Sequence, residues 1–287
     1  VILSGDHVYH MDYRELLAQH IASKASLTIA TVPCSIKEAS SFGIVETNHQ
    51  SQVVGFEEKP YRPRPLPGNA GMALASMGVY VFTASALKRA LTNVCASGSG
   101  NDFGRDIIPA MISKERVFAH EFRNRTTGQP GYWRDIGTID SYYRASMELM
   151  HEDSPFDPFA NDSNPSHPTR HPGRSGIRER ESINPLARVR RSVVSEGVQI
   201  GEGADIEDCV LLPGAQIGRY SKLRNVIIDE NTRIPAYSYA GFNLERDRDY
   251  HTVTNSGVVL VANAPRPAKV AATHKVSRRE MYAVATA

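Results

Sequence analysis

The sequence has little of what marks several protein classes. Its 287 residues include only three cysteines and one tryptophan, and the formal net charge is +2. A charge this close to zero gives no reason to expect a nucleic acid or a membrane surface as a partner. Cys34, Cys95 and Cys209 lie far apart and lack the spacing of a zinc site, which predicts free thiols in a reducing compartment.

Long apolar runs and targeting signals are also missing. No run in the sequence is long enough to cross a bilayer, and no segment resembles a signal peptide, so a cytoplasmic protein is expected. The length predicts one large or two smaller domains. Val1 stands inside a strand-like apolar run with no Met before it, so we expect the sequence to lack its natural beginning.

Two aspartates at the ends of short apolar runs carry the first functional hypothesis. Asp6 lies in the segment Ser4–His7 and Asp135 in the segment Tyr132–Thr138. Open α/β sheets use apolar strands that end in a Gly-flanked Asp to place carboxylates in the crevice beyond the strands. Two such carboxylates can hold one Mg²⁺ against phosphate oxygens, which predicts phosphoryl or nucleotidyl transfer. Either aspartate alone could instead be a turn residue that caps a helix.

The first 150 residues alternate between helical and strand-like patterns. Asp12 and Glu15 have the spacing of a capping box, and the helix they begin would place an apolar face on a sheet. That face comprises Leu16, Leu17, His20 and Ile21. Residues 27–32 follow as a buried strand, and this alternation predicts a parallel sheet with a right-handed crossover.

A hairpin is predicted next, and it ends in the charged segment Glu57–Pro60. A charge run before Pro is usually a solvated strand end. In the functional interpretation, Glu58 accepts hydrogen bonds from the hydroxyls of a sugar, and Lys59 places its compact charge on a phosphate.

The second half of the chain shows a six-residue repeat. Residues 151–184 have few apolar side chains and are predicted to be a linker. Beyond it, aliphatic residues recur five or six positions apart, and Gly197, Gly214 and Asn231 follow one another at 17-residue intervals. Such spacing predicts a hexapeptide-repeat parallel β-helix with one inward aliphatic per side. The inward residues are predicted to be Val194, Ile200, Ile206, Leu211, Ile217, Leu223, Ile228 and Ile234.

Six segments, taken in order, resemble the bacterial glucose-1-phosphate adenylyltransferase family. They are Ser4–Tyr9, Phe42–Gly43, Phe56–Pro60, Ser76–Tyr80, Asp102–Gly104 and Tyr132–Thr138. The resemblance implies an α/β, Rossmann-like nucleotidyltransferase domain over residues 1–150, incomplete at its N-terminus. It also implies a left-handed parallel β-helix over residues 185–262, and leaves a basic tail at 263–287 that is expected to be disordered.

The resemblance further implies an activity and a set of site residues. The reaction is the transfer of AMP from ATP to α-D-glucose 1-phosphate, the first committed step of glycogen synthesis, and the family implies a tetramer. Asp6 and Asp135 match the Mg²⁺-binding aspartates, and Lys59 would act with them in catalysis by orienting the sugar phosphate. Gly43, Glu58, Lys59 and Ser76 match the glucose 1-phosphate site, and Asp102, Phe103 and Trp133 match the sugar pocket.

One departure from the family limits this interpretation. The family begins with a Gly-rich nucleotide loop, and nothing before Val1 supplies it, so a chain starting there is expected to bind ATP poorly. Two alternatives stay open. The first is another sugar-1-phosphate nucleotidyltransferase, forming GDP-mannose or UDP-glucose. The second is a non-catalytic regulatory subunit that assembles through the β-helix.

Overall fold

The computed structural model describes residues 1–97, 102–125, 127–148, 176–177 and 183–262. Most of the predicted linker and the whole of the predicted tail lie outside these residues. The chain divides into two compact units, Val1–Tyr142 and Tyr143–Ala287, and each is considered by itself.

The first unit is built from eight strands and four helices, the last of which runs across its boundary. Strands β1 to β8 span Ile2–Leu3, His7–Tyr9, Leu27–Ser35, Gly43–Thr47, Val53–Glu58, Met72–Phe82, Val117–Glu121 and Trp133–Asp135. Helices α1 to α4 span Tyr13–Ala22, Ala84–Ser97, Ile108–Ile112 and Ile139–Glu148. A 3₁₀ turn covers Ala39–Ser41, and a π-helical turn covers Phe103–Ile107 just before α3.

The main sheet is mixed, and β6 is its central strand. The strand order is β5-β4-β6-β3-β7, and β1 also pairs with β6. Both Ile2 and Ile29 are paired with Tyr80, so β6 runs antiparallel to β1 on one side and to β3 on the other. The predicted parallel sheet is therefore wrong: β3 and β7 pair in parallel, and the other pairs of this sheet are antiparallel. Strand β6 is 11 residues long and comes later in the chain, and β1 and β3 pair with its two edges. It therefore lies between β1 and β3, which run parallel to each other.

Alternation along β6 places a hydrophobic core on each face of this sheet. Ala75, Met77 and Val79 belong to one buried cluster, together with Leu16 of α1. Leu74 of the same strand belongs to the other cluster, together with Ile107 and Val117. Successive residues of a strand point to opposite faces, so one strand serves both cores.

Helix α1 confirms the predicted start and only half of the predicted apolar face. Asp12 is the N-cap, and its side chain accepts a hydrogen bond from the Arg14 backbone N at 3.0 Å. Leu16 and His20 are buried four residues apart, whereas Leu17 and Ile21 are 37% and 73% exposed. The buried stripe is one residue wide per turn, because the neighbouring row lies about 100° further round the helix.

The second unit contains the predicted β-helix. Strands β10 to β19 span Arg188–Arg190, Val193–Val194, Gln199–Ile200, Asp205–Glu207, Val210–Leu211, Gln216–Ile217, Lys222–Arg224, Val226–Ile228, Arg233–Ile234 and Tyr239–Ala240. They form three parallel sheets in which each residue pairs with the one 17 positions later, as Val194 does with Leu211. All eight predicted inward aliphatics are buried in one core. The hexapeptide prediction is confirmed.

Left-handed backbone conformations occur at three corners of each coil. Gly197, Gly214 and Asn231 have φ of +70°, +72° and +53°, as the sequence predicted. Two further columns with the same 17-residue interval escaped prediction, because half of their residues, Arg191, Tyr220 and Tyr237, are not types that favour positive φ. These columns are Arg191, Asp208 and Asn225, and Gly203, Tyr220 and Tyr237.

The β-helix continues its 17-residue repeat beyond the predicted start and departs from it at the other end. Strand β9, Gly176–Ile177, pairs in parallel with β11 and lies inside the range predicted to be linker. Two residues are too few to show a repeat in the sequence. At the other end, helix α5 (Leu244–Tyr250) precedes β20 (Thr252–Val253) and β21 (Val259–Val261). Within the described ranges, no helix has the length and apolar character needed to span a membrane.

Candidate active site

The short ladder between β2 and β8 brings the two predicted aspartates together. His7 pairs with Asp135, and the Ile136 backbone N donates to the Asp6 carbonyl at 2.9 Å. A Cβ placed on Gly137 would lie 3.0 Å from Asp135 Oδ1 and 3.1 Å from Asp6 Oδ2. These two carboxylate oxygens are therefore no more than about 6 Å apart, although 129 positions separate the residues in the sequence.

The donor set of this pair fits a magnesium ion that also has phosphate ligands. The Asp6 side chain is 48% exposed, so a ligand can reach its carboxylate. Within the described part of the chain, no group of three or more His, Cys, Asp and Glu side chains could hold a metal. Mg²⁺ commonly binds through one or two carboxylates and takes its remaining ligands from water and substrate phosphates. Two carboxylates without further protein ligands match that pattern.

A second polar cluster surrounds Glu58 at the end of β5. A Cβ on Gly43 would lie 2.9 Å from Glu58 Oε2, and a Cβ on Gly104 would lie 2.5 Å from the same oxygen. In its present position the carboxylate occupies space that a Cβ at either glycine would enter. Asp102 adjoins it, with Oδ1 3.4 Å from the Cβ position of Gly104 and hydrogen-bonded to the Gly104 and Arg105 backbone N atoms.

Tyr80 contacts Ser76 and Phe103, which complete the Glu58 cluster. Its hydroxyl lies 3.4 Å from Ser76 Oγ, and its ring stacks on Phe103 with centroids 6.0 Å apart. Burial raises the pKa of Tyr80, and the charges of Glu58 and Asp102 raise it further. Tyr80 thus stays a hydrogen-bond donor beside two carboxylates. We assigned it no role from the sequence, although its position four residues after Ser76 on β6 places both on one face.

Lys59 lies at the surface beside Glu58. Its Nζ is 4.0 Å from Glu58 Oε1, and its side chain is 59% exposed. The backbone φ is +51°, and the backbone N donates to the Phe42 carbonyl at 3.0 Å. This turn sets the direction of the lysine stem and leaves its ammonium accessible to a charged ligand.

Trp133 lies with the aspartate pair and is buried. Its ring packs edge-on against His7 and Phe42, with centroid distances of 5.2 and 5.0 Å. Phe103, predicted for the same sugar pocket, contacts Tyr80 and Phe82 instead. With only 5% of its surface exposed, Trp133 supports the β2–β8 ladder from within the core. Its contact with a sugar stays a prediction.

Strand β6 connects the two clusters through Gly78. The Gly78 N donates to Ser76 Oγ at 3.3 Å in the Glu58 cluster, and its carbonyl accepts from the Ser4 N at 3.0 Å beside Asp6. His7 Nδ1 lies 2.7 Å from the neighbouring Met77 carbonyl. Gly78 has φ of +65°, and a Cβ there would lie 2.9 Å from His7 Cε1. The glycine therefore allows the segment that carries Asp6 to pack closely on β6.

Comparison with known proteins agrees with this arrangement. A nucleotidyl transferase family model matches residues 1–152, and a GlmU-like C-terminal hexapeptide model matches residues 177–261. Both matches confirm the predicted fold class. The second model begins at β9, within the range that the sequence predicted to be linker.

Named relatives match nearly the whole chain. It is 40% identical over 280 residues to a glucose-1-phosphate adenylyltransferase of Methylobacillus flagellatus, covering 91% of the chain and 66% of that protein. It is 36% identical to the Methylococcus capsulatus protein of the same name, covering 91% and 65%. Identity is also 36% to glucose-1-phosphate adenylyltransferase 1 of Vibrio parahaemolyticus, covering 92% and 70%. The chain spans just under two thirds of the length of the first two relatives. It belongs to the glucose-1-phosphate adenylyltransferase family.

Proposed function

We propose that the chain transfers AMP from ATP to α-D-glucose 1-phosphate, giving ADP-glucose and pyrophosphate, as the first committed step of glycogen synthesis. The observation that carries this proposal is the pairing of Asp6 and Asp135 by the β2–β8 ladder. The names of the relatives support the choice of substrates.

The reaction needs little acid-base chemistry from the protein. A phosphate oxygen of glucose 1-phosphate attacks the α-phosphorus of ATP and forms a new P–O bond. The bond from that phosphorus to the bridging oxygen breaks, and its electron pair leaves with pyrophosphate. The attacking oxygen is already ionised at neutral pH, so the protein mainly positions the reactants and neutralises charge.

The two clusters divide this work. Asp6 and Asp135 would hold Mg²⁺, which supplies positive charge that stabilises the transition state when it is bound. Glu58 would accept hydrogen bonds from sugar hydroxyls, and Asp102, Tyr80 and Phe103 lie next to it. Lys59 would bind the sugar phosphate through its exposed ammonium. Ser76 would contribute its hydroxyl beside Tyr80.

The test is a pyrophosphate-release assay with ATP, Mg²⁺ and glucose 1-phosphate. We expect activity with this combination in a form extended to the length of the relatives, and lower activity in this chain because it is expected to bind ATP poorly. Activity should be much lower when GTP or UTP replaces ATP, or mannose 1-phosphate replaces glucose 1-phosphate. Preference for one of those pairs would favour a sibling nucleotidyltransferase. Binding of glucose 1-phosphate without turnover, in this chain and in a form extended to the length of the relatives, would favour the regulatory-subunit alternative.

Two further predictions belong to this proposal. Cytoplasmic location is supported by Cys34 and Cys209, which are free thiols, and burial raises their pKa to about 11 and about 12. The side chain of Cys95 lies outside the described residues.

A homo-oligomer, a tetramer by family resemblance, stays a prediction that light scattering after size-exclusion chromatography would check.

A further inference from the structure

We propose that Ser4 is a positioning residue that fixes the orientation of the Asp6 carboxylate, with Oδ1 held by the protein and Oδ2 presented on the side of Asp135. This inference rests on the proposed function, because it concerns the metal site of that reaction.

The two oxygens of Asp6 have different surroundings. Ser4 Oγ donates to Oδ1 at 2.7 Å, and His7 Nε2 lies 3.6 Å from the same oxygen. Asp6 Oδ2 lies 3.1 Å from the Cβ position of Gly137. Asp135 Oδ1 lies 3.0 Å from the same position, so these two oxygens are on the same side. Ser4 therefore binds Oδ1, whereas Oδ2 is the oxygen on the side of Asp135.

The backbone of Ser4 is itself fixed by β6. Its N donates to the Gly78 carbonyl at 3.0 Å, and the preceding Leu3 pairs with Val79. A Cβ on Gly78 would lie 3.0 Å from Ser4 Cβ, so the two residues are in close contact. The hydroxyl is thus anchored to a central strand and not to a mobile loop.

Asp135 is held by a different donor, on the oxygen that lies on the side of Asp6. The Gly137 backbone N donates to Asp135 Oδ1 at 2.8 Å. Each aspartate therefore has its Oδ1 held by the protein, and in Asp135 this is the oxygen that lies near Asp6 Oδ2. Hydrogen bonds to a carboxylate are charge-assisted, and partners of this kind orient metal ligands and tune their affinity. A hydroxyl on Asp6 and a backbone amide on Asp135 would together pre-organise the pair.

Mn²⁺ titration in the presence of glucose 1-phosphate, which supplies a phosphate ligand, tests this role without depending on turnover when it is followed by the electron paramagnetic resonance signal of the free ion. Ser4→Ala should bind Mn²⁺ about tenfold more weakly than the unsubstituted chain, the lower end of what loss of such a partner costs. Ser4→Thr keeps the hydroxyl and should stay within about twofold. Ser113→Ala, at an exposed serine after α3, is the matched control and should leave the affinity unchanged.

Asp6→Asn separates this inference from the proposed function. If Asp6→Asn loses Mn²⁺ binding while Ser4→Ala binds like the unsubstituted chain, the positioning role is overturned and the metal site stands. If Asp6→Asn also binds Mn²⁺ normally, or the unsubstituted chain binds none, Asp6 is not a metal ligand and both proposals fall. Thermal unfolding of each variant shows whether it is folded under the conditions of the titration.

Discussion

The β-helix and the α/β unit obtain their structures from the sequence in different ways. In the β-helix, one rule repeats every 17 residues, and all eight aliphatics that follow it are buried in a single core. In the α/β unit, the candidate site combines segments as distant as Ser4, Glu58 and Asp135, and no repeat relates them. Repetition therefore makes a fold recognisable in the sequence, whereas the contacts around a site assembled by topology appear only once the strands are paired.

The comparison predicts that substitutions in the two units have separable effects. Side chains of the site should alter ligand binding or turnover with little change in stability. Inward residues of the β-helix should do the opposite, because they lie within the hydrophobic core of that unit.

The largest effect is expected at the paired aspartates. In a form extended to the length of the relatives, Asp6→Asn or Asp135→Asn should lower turnover by about a hundredfold to a thousandfold. Each change removes a carboxylate that would hold Mg²⁺, and the positive charge of that ion offsets the charge developing on the phosphates. Pyrophosphate release measures this, with the unfolding midpoint as a control for folding. Turnover near that of the unsubstituted chain in either variant would remove the metal assignment.

The next largest effect is expected in the β-helix core. Leu211 is fully buried there, and Leu211→Ala should lower the free energy of unfolding by about 2–5 kcal/mol through lost transfer energy and a cavity. Denaturant titration measures the loss, and isothermal titration should show unchanged affinity for glucose 1-phosphate. A loss of that affinity in the folded variant would show that the two units are not separable.

A smaller effect on the site is expected from Lys59. Because its ammonium is exposed beside Glu58, Lys59→Gln should raise the KM for glucose 1-phosphate about tenfold and leave kcat little changed. Initial rates at varied sugar phosphate measure both parameters. Exposed Lys37 on the turn after β3 provides the matched control, and Lys37→Gln should change neither. A lower kcat at saturating sugar phosphate would place Lys59 in the transition state.

The smallest effect is expected at a β-helix corner. Asn231 has φ of +53°, a conformation that alanine adopts at a cost of about 1 kcal/mol and glycine adopts without strain. Asn231→Ala should therefore be less stable than Asn231→Gly in denaturant titration. Equal stability of the two variants would show that backbone conformation is not what selects the residue in this column.

The same contrast explains which features the sequence could predict. Aliphatic spacing predicted the β-helix core, and the Gly197 column was found because glycine and asparagine favour positive φ. Tyr220 and Tyr237 have φ of +56° and +61°, a conformation that tyrosine does not favour. Their rings stack with centroids 5.5 Å apart, so contact between neighbouring coils stabilises this conformation. Such contacts between coils leave no signal in the local sequence.

In the α/β unit, short motifs predicted the pair of aspartates but not the residues that position them. The Gly-flanked aspartates and the Glu58-Lys59 pair were identified from chemistry alone. Tyr80, Ser4 and Gly78 were not, because their roles depend on the position of β6 between β1 and β3. That arrangement contradicted the parallel sheet expected from the order of elements. The strand order of this sheet is set by the pairing of β6, a long apolar strand, with β1 and β3. Local sequence patterns do not encode such tertiary pairing.

The most direct test of the account is a crystal of the chain soaked with Mn²⁺ and glucose 1-phosphate, with anomalous scattering recorded at a wavelength where manganese scatters strongly. The account predicts one anomalous peak in contact with the carboxylates of both Asp6 and Asp135, and sugar density beside Glu58. A peak at other residues, or glucose 1-phosphate bound in this pocket with no metal between the two aspartates, would contradict it.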